Sequence, residues 1–268
     1  MTARNGDGLR YAFAGDRDVA VDVLDFMLDG GHRPLALLLP EGASHGTELR
    51  RRCADLDPAR VLVGEAFCRP EGLRILGELE LDYIICVHFP RPVPHEVLRT
   101  AGVGVLNLHP ALLPHNRGWH CPSWAILEGT PYGATLHFIT EQLDAGDVIH
   151  QRELEVAPGD TADSLYARAK HLELDVFQEA FPSLLIGAPP RRPQDIGSGT
   201  FHRRSELLRP DVREIQADQR TSAGELIDHL RALTTDRIDE AAILVRNGER
   251  LRVQVRIVPE REPDSPGT

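Results

Sequence analysis

Short apolar runs alternate with segments of helical periodicity through the first two thirds of the chain. Runs that are apolar on both faces are typical of strands buried in a parallel sheet, and the helical segments between them can cover its two faces. Such strands are predicted over residues 10–14, 35–39, 60–63, 83–87 and 103–108, with helices over 19–28, 48–56, 70–79 and 94–100. The pattern therefore predicts a doubly wound α/β core with a mostly parallel sheet.

The rest of the chain continues this pattern and then changes composition. A helix is predicted over 123–128, strands over 134–140 and near 148–156, and a long helix from residue 162. Prolines and glycines over 187–199 indicate a linker, followed by a helix over 221–233 and a hairpin with the turn Asn247-Gly248. We expect a first domain over 1–187, a linker over 188–199, a small helix-plus-hairpin module over 200–259 and a disordered tail over 260–268.

The amino-acid composition limits which binding partners and which cellular compartment we expect for this protein. The 268 residues carry 30 Lys and Arg against 41 Asp and Glu, a formal net charge of −11, which argues against nucleic acid as the main partner. No run approaches the ~18 apolar residues of a membrane span and no secretory signal is visible, so we expect a cytoplasmic protein that contacts no membrane. The four cysteines show no CxxC pair, which predicts reduced thiols.

Residues able to carry chemistry gather at the end of the fifth predicted strand. Asn107 and His109 share one face of it, ~6.6 Å apart, before Pro110 turns the chain away. Open α/β sheets bind ligands at this end of their strands. A later loop, 141–147, can bring the carboxylate of Asp144 beside His109. Such a trio suits acyl transfer to an amine: the amide supports an oxyanion, the imidazole moves or stabilises a proton, and the carboxylate holds the imidazole.

Two other kinds of site fit the sequence poorly. The first strand ends in Gly15-Asp16-Arg17, with one glycine where a dinucleotide fingerprint needs several close backbone amides. The candidate metal ligands His109, His115, His120 and Cys121 crowd one segment. A proline-containing loop would have to present them and no second ligand pair follows, so we predict no metal.

Three separated motifs agree in order and spacing with one known family. They are Asn-Leu-His-Pro at 107–110, Leu-Leu-Pro-x-x-Arg-Gly at 112–118 and Leu-Asp-x-Gly-x-x-Ile at 143–149. Together they resemble the 10-formyltetrahydrofolate-dependent formyltransferases. The resemblance implies a Rossmann-type core, 10-formyltetrahydrofolate as formyl donor, and a catalytic trio of Asn107, His109 and Asp144. The donor contacts that it implies are Phe89, Arg91, Pro92, Val93, Gly118 and Asp144.

Flanking segments narrow the resemblance to one branch. Residues 116–119, 126–133, 144–149 and 199–204 are similar to the sugar N-formyltransferases, which act on nucleotide-linked amino sugars. Candidate contacts to such a substrate are Arg17, Trp119, His120, His202 and Arg203. Where these enzymes often carry Tyr and Pro, this chain has His120-Cys121. The methionyl-tRNA branch of the family fits less well. A resemblance to it implies a longer chain with a basic C-terminal domain, whereas residues 201–268 here are mixed in charge.

Two alternatives stay open. The acceptor could be another small amine, such as an amino acid or a natural-product precursor, or the protein could bind folate without catalysis. The intact trio argues against the second alternative, because a non-catalytic descendant has no physical need for three polar groups in a cleft. Apolar residues on both strands of the C-terminal hairpin predict a homodimer, with the chemistry complete before Gly187.

Overall fold

A computed structural model describes residues 8–258 and 260. The strands are β1 Tyr11–Gly15, β2 Ala36–Leu39, β3 Val61–Val63, β4 Leu81–Val87, β5 Ala101–His109, β6 Arg117–Gly118, β7 Gly133–Phe138, β8 Val148–Glu153, β9 Phe201–His202, β10 Glu214–Gln216, β11 Ala242–Arg246 and β12 Glu249–Val253. The α-helices are α1 Arg17–Asp29, α2 Gly46–Arg52, α3 Pro70–Glu78, α4 His95–Leu98, α5 Cys121–Glu128, α6 Ala162–Leu185, α7 Pro210–Arg213 and α8 Ala223–Ala232.

Seven of these strands form the central sheet, in the order β3-β2-β1-β4-β5-β7-β8. The strands from β3 to β5 run parallel, and β7 and β8 add an antiparallel edge beside β5. The predicted doubly wound, mostly parallel fold is confirmed. Because the chain places β2 and β3 on one side of β1 and β4 and β5 on the other, the strand order reverses between β1 and β4. Ligands of open α/β sheets bind at such a crevice.

Both faces of the central sheet are buried, because alternate side chains of each strand pack against different helices. Phe13 and Tyr83 belong to a core with Phe177 of α6, whereas Ile84 belongs to a second core with Leu76 of α3. Each of these side chains is at most 1% exposed. The sheet therefore holds the carboxyl ends of β1, β4 and β5 side by side in a rigid frame.

Helix α6 runs for 24 residues along one face of the sheet. It begins at a capping box. The Thr161 hydroxyl accepts a hydrogen bond from the amide of Ser164, and the Ser164 hydroxyl accepts one from the amide of Thr161. Its buried face carries Leu172 and Val176 together with Glu173, whose carboxylate has no exposed surface. A fully buried carboxylate needs a partner, and this one has it in His88.

The C-terminal module contains the predicted helix and hairpin, and β10 joins the hairpin as a third strand. Helix α8 packs on α5 of the first domain. Asn247 and Gly248 have φ angles of 52° and 83°, as a two-residue type I′ turn requires, so pairing resumes at Glu249. The predicted hairpin turn is confirmed. Strand β10 is only three residues long, too short for its alternation to be read from the sequence.

The segment predicted as a linker lies along the first domain. Arg192 forms an antiparallel bridge with Val148, and beyond it β9 pairs parallel with β6. Two-residue strands leave no periodic signal, so sequence analysis missed this ladder. The predicted disordered tail falls, apart from Glu260, outside the described residues. Among the helices that the structure describes, none is long and apolar enough to cross a membrane.

Candidate active site

The structure brings the predicted trio together at the carboxyl end of β5. Asn107 and His109 lie on this strand, and Asp144 follows β7 in a loop. Nδ2 of Asn107 is 3.4 Å from Oδ1 of Asp144, and Nε2 of His109 is 3.7 Å from Oδ2. The loop closes tightly because Gly146 packs against the carbonyl oxygen of Phe138, where any Cβ would overlap it. The carboxylate is thus placed between the amide and the imidazole.

Hydrogen bonds from Gly118 and Gln194 hold Asp144 in place. The amide of Gly118 donates to Oδ2 over 2.9 Å, and Nε2 of Gln194 donates to the carbonyls of Asp144 and Gly146 over 3.1 and 2.6 Å. Gly118 has φ of 95° and touches the carbonyl of His202, so a Cβ fits neither its conformation nor its surroundings. Both supports come from segments next to the C-terminal module, and sequence analysis found neither the Gly118 hydrogen bond nor Gln194.

His137 is a further member of the site that sequence analysis missed. It lies on β7 opposite Asn107 and is 1% exposed. Its Nδ1 donates to the carbonyl of Phe138 over 2.8 Å, so Nε2 carries the lone pair and accepts from Nδ2 of Asn107 over 3.2 Å. The alternation of β7 was recognised as a strand, but only its pairing with β5 places this ring at the site.

Burial and charge give the titrating groups different protonation states. Burial disfavours the imidazolium of His109, but the Asp144 carboxylate, together with contacts to Cys121 and the Asn116 carbonyl, outweighs burial and raises the pKa of His109 to about 10. Burial also opposes the charge of Asp144, yet its pKa is lowered because His109 lies beside it. Burial lowers the pKa of His137 to about 4 against the opposing charge of Asp144, and the charge of His109 adds to the lowering. At neutral pH the site holds an imidazolium, a carboxylate and a neutral imidazole.

This arrangement is suited to stabilising negative charge on a ligand oxygen. The imidazolium of His109 and the amide of Asn107 are a cation and an N–H donor at one end of a buried strand. Nδ1 of His109 has no hydrogen-bond partner among the described residues, since Asp144, Asn116 and Cys121 all approach Nε2. A preorganised cation and donor of this kind form an oxyanion hole.

The predicted donor-binding segment follows β4. Phe89 stacks edge-on against Phe67 with ring centroids 5.4 Å apart, and Arg91 lies 3.7 Å from a carboxylate oxygen of Glu65. Val93 packs partly buried against the second core, and Pro92 is exposed. The segment is therefore anchored at both ends, directly after the strand that neighbours β5.

A cavity of about 240 Å³ is lined in part by the loop residues that follow Asp144. Its walls come from β5, from the end of β7 with the loop beyond it, and from Arg191, which lies 3.5 Å over the ring of Phe138. Leu98, Val105 and Ile139 make its apolar surface, and Ala145, Gly146 and Asp147 continue directly from Asp144. Pockets for whole drug-sized ligands hold roughly 300 Å³ or more, so this one suits a ring system at the end of a longer ligand.

The predicted substrate contacts are distributed around the site. Trp119 lies under the Arg204 guanidinium at 5.0 Å, and His120 donates from Nε2 to the Arg204 carbonyl over 3.2 Å. Arg203 is exposed, and Arg17 begins α1 at the carboxyl end of β1.

His202, also predicted as a substrate contact, is occupied by the protein itself. Its ring stacks on Trp124 at 3.9 Å and its nitrogens face the carboxylates of Glu128 and Glu206, with 8% of the residue exposed. This favours a packing role for His202 between the two domains over contact with substrate. Among the described residues no three His, Cys, Asp or Glu side chains are grouped to hold a metal ion.

Comparison with known proteins agrees with this geometry. Residues 65–181 match the formyl transferase domain, and residues 210–259 match the N-formyltransferase dimerization C-terminal domain. A dTDP-4-amino-4,6-dideoxyglucose formyltransferase of Mycobacterium tuberculosis is 30% identical over 223 residues, covering 81% of this chain and 93% of the relative. The chain belongs to the formyl transferase family. Methionyl-tRNA formyltransferases are also relatives of this formyl transferase, at 25% and 29% identity in two bacteria.

Solved structures share the fold of this formyl transferase. A 4-N formyltransferase from Francisella tularensis has a TM-score of 0.77 at 21% identity and covers 95% of this chain and 100% of its own. An N-formyltransferase from Helicobacter canadensis, solved with folinic acid and dTDP-3-aminofucose, has a TM-score of 0.67 at 17% identity and covers 90% of this chain and 86% of its own.

Proposed function

We propose that this formyl transferase moves a formyl group from 10-formyltetrahydrofolate to the amine of a nucleotide-linked amino sugar. The observation that carries the proposal is the cluster of Asn107, charged His109 and Asp144 at the carboxyl end of β5. The relative from Mycobacterium tuberculosis is named for a dTDP-linked amino sugar, and it covers most of this chain. The match of residues 210–259 supports a sugar enzyme that works as a homodimer.

The residues beside Asp144 fit the folate donor. The cavity of about 240 Å³ combines the apolar side chains of Leu98, Val105 and Ile139 with the paired charges of Arg191 and Asp147, a setting for a flat ring with polar edges such as a pterin. The family resemblance adds the segment from Phe89 to Val93, which follows β4, and the hydrogen-bonded pair Gly118 and Asp144 as contacts to the donor. When bound, the donor supplies a formyl carbon that a neutral amine can attack.

The trio provides the charge and the proton path for this attack. As the new C–N bond forms, Nδ2 of Asn107 and the imidazolium of His109 stabilise the negative charge on the formyl oxygen. Asp144 holds His109 in its charged form and assists removal of the amine proton, directly or through water. The bond from the formyl carbon to the donor nitrogen then breaks, and that nitrogen takes up the proton. The products are an N-formyl sugar and tetrahydrofolate.

The acceptor would lie on the open side of the trio. Trp119 and His120 directly follow Gly118, Arg203 is exposed on the segment after β9, and Arg17 lies at the carboxyl end of β1. The proposal also places the enzyme in the cytoplasm, where sugar nucleotides and folates are used.

Mass spectrometry tests the proposal directly. The enzyme is incubated with 10-formyltetrahydrofolate and a panel of nucleotide-linked amino sugars, and one sugar should gain a formyl group. Asn107→Ala and His109→Ala should each lose about 10²–10³ in kcat while remaining folded. Formylation of an amino acid or of another small amine in place of every sugar would move the acceptor to a different class. Folate binding without formylation of any amine would reduce the protein to a folate-binding one.

A further inference from the structure

Four side chains that take no part in the chemistry above form a continuous hydrogen-bonded chain. Glu173 is completely buried, and both its carboxylate oxygens lie close to Nε2 of His88, at 2.9 and 3.0 Å. Nδ1 of His88 is 3.1 Å from the hydroxyl of Tyr166, and that hydroxyl accepts from Nη1 of Arg17 over 3.3 Å. These hydrogen-bonded side chains run from Glu173 in the core of the protein to Arg17 at its surface.

The directions of these hydrogen bonds are consistent from end to end. The carboxylate of Glu173 can only accept, so Nε2 of His88 donates to it. Tyr166 keeps its proton, because burial and the carboxylate of Glu173 raise its pKa, and it donates to Nδ1. The free lone pairs of its oxygen then face Arg17. The three inner members, Glu173, His88 and Tyr166, each have hydrogen-bond partners, and a satisfied network of this kind is rigid.

The hydrogen-bonded side chains end at the crevice between β1 and β4, where the strand order reverses. His88 directly follows β4 and Arg17 comes two residues after β1, both with positive φ, at 51° and 68°. The backbones meet there through the amide of Asp16, which donates to the carbonyl of Val87 over 3.2 Å. Such left-handed residues persist only where their surroundings hold them, and here the side chains are fixed to one another.

Arg17 retains its charge and most of its donors. The residue is exposed, and its bond to Tyr166 is the one hydrogen bond it makes within the described part of the chain. Burial of the guanidinium opposes its charge, but the Tyr166 hydroxyl and the Asp236 carboxylate raise its pKa. A charged guanidinium with N–H groups to spare is a ready partner for a phosphate.

The two acidic neighbours of Arg17 in the sequence are engaged elsewhere. Asp16 accepts from the hydroxyl of Ser44 over 2.9 Å and from the amide of His45 over 3.0 Å. Asp18 pairs with Lys170 over 2.6 Å. Asp18 is therefore neutralised by Lys170, whereas the charges of Asp16 and Asp236 act on Arg17 and favour its charged form. Among the described residues no carboxylate lies within ion-pair distance of Arg17, so its fork is left to a ligand.

The spacing to the trio suits a sugar nucleotide. Strands β1, β4 and β5 are neighbours, and adjacent strands lie ~4.8 Å apart, so the ends of β1 and β5 are about 10 Å apart. A sugar with its amine at the trio would cross the end of β4 and bring its diphosphate toward β1.

We propose that Arg17 binds the diphosphate of the nucleotide-linked sugar and that Tyr166 and His88 are positioning residues that hold its guanidinium for this purpose. The proposal rests on the function proposed above and specifies which end of the acceptor lies over β1. The carboxylate of Glu173 is the buried hydrogen-bond acceptor at the inner end of this series of side chains.

Steady-state kinetics and inhibition test the proposal. Arg17→Gln should raise KM for the amino sugar about tenfold or more, leaving kcat and the KM for 10-formyltetrahydrofolate unchanged. Tyr166→Phe should raise the same KM by a smaller factor. Because Tyr166 acts through Arg17, the double variant should be no worse than Arg17→Gln. Arg17→Gln should also weaken inhibition by thymidine or uridine diphosphate but not by the corresponding nucleoside.

Controls separate the possible failures. Tyr11→Phe removes another buried hydroxyl, one that donates to the carbonyl of His32 over 2.9 Å, and should leave the KM unchanged. If Tyr166→Phe proves unstable, the Arg17→Gln variant still tests whether Arg17 binds the diphosphate, because it alters only an exposed side chain. If the wild-type enzyme formylates no nucleotide-linked sugar, the proposed function fails. If it does so and Arg17→Gln keeps the wild-type KM and diphosphate inhibition, the present inference is wrong.

Discussion

The ring of His137 accepts a hydrogen bond from the amide of Asn107, with 3.2 Å between Nε2 and Nδ2. Because Nδ1 of His137 is committed to the carbonyl of Phe138, the lone pair of Nε2 has a fixed direction. The other contact of Nδ2, to Asp144, is 3.4 Å long. His137 therefore sets the orientation of the amide, and the second N–H of Asn107 is held weakly enough to be given to a ligand oxygen.

This relationship predicts a loss of turnover when His137 changes. His137→Phe keeps a ring but removes the acceptor, so the Asn107 amide loses its orientation. We expect kcat to fall about tenfold or more, less than for Asn107→Ala, with little change in either KM, because the oxyanion forms only in the transition state. His150→Ala changes an accessible histidine on β8 and serves as control. A folded His137→Phe enzyme with normal kcat would contradict the assignment.

The raised pKa of His109 predicts how stability depends on pH. Its folded pKa of about 10 lies above the ordinary 6.5, so the imidazolium stabilises the fold fully below pH 6.5, and this contribution is lost as pH rises toward 10. Thermal melting of the wild type and of His109→Gln should therefore differ more at pH 6 than at pH 10. A gap that widens with rising pH would mean that His109 is neutral in the folded protein.

Folate should protect the fold. A ligand that binds only the native state stabilises it by about 2.7 kcal/mol at a hundredfold excess over Kd. The melting temperature should accordingly rise with 5-formyltetrahydrofolate, an unreactive analogue of the donor. Ile139→Asp places a charge in the cavity beside Asp144 and should abolish the shift, whereas Leu208→Asp, at a surface position, should not. Absence of any shift at millimolar folate in the wild type would count against the donor site.

Gly118 provides a test of the loop that holds Asp144. Gly118→Ala introduces a Cβ that overlaps the carbonyl of His202, at a φ of 95°. Gly129 also has positive φ, 62°, but open space around it, so Gly129→Ala costs only about 1 kcal/mol of backbone strain. We expect Gly118→Ala to lose kcat as well as stability, and Gly129→Ala to lose stability alone. Equal kcat in both variants would show that the Gly118 amide does not matter to Asp144.

The sheet and the trio could be predicted from the sequence because their signals are local. Buried parallel strands are apolar on both faces, and the separation of Asn107 from His109 by two residues places them on one face whatever lies around them. The three motifs then agree with a family whose members carry the same residues in the same order. Asp144 was found through its motif, and the structure places its carboxylate 3.7 Å from Nε2 of His109; its catalytic role stays a prediction.

The supports of the trio could not be predicted, because they depend on strand pairing and on backbone groups. The place of His137 requires the antiparallel register of β7 with β5. The Gly118 amide and the two carbonyls that Gln194 binds are main-chain groups, which every residue type carries. The chain from Arg17 to Glu173 joins residues 156 positions apart through two intermediates. Local patterns contain no record of such contacts.

The last prediction concerns the C-terminal module and revises the expectation that the chemistry is complete before Gly187. Strand β9 pairs with β6, and the amides of Arg117 and Trp119 donate to the carbonyls of Thr200 and His202 over 3.1 and 3.0 Å. The module therefore holds the loop from which Gly118 reaches Asp144.

Truncation after Ser198 should consequently lower kcat as well as weaken dimerisation and binding of the amino sugar, while folate still raises the melting temperature of the folded remainder. Light scattering and steady-state kinetics measure the two effects, and circular dichroism checks that the shortened chain folds. Leu251→Glu in the full chain is the matched variant, since Leu251 is 48% exposed on the hairpin and far along the chain from β9. It should weaken the dimer and keep kcat. If Leu251→Glu is as slow as the truncated enzyme, dimerisation itself supports turnover and the β9 contact is not the reason; if the intact enzyme is monomeric and fully active, the expected dimer is wrong.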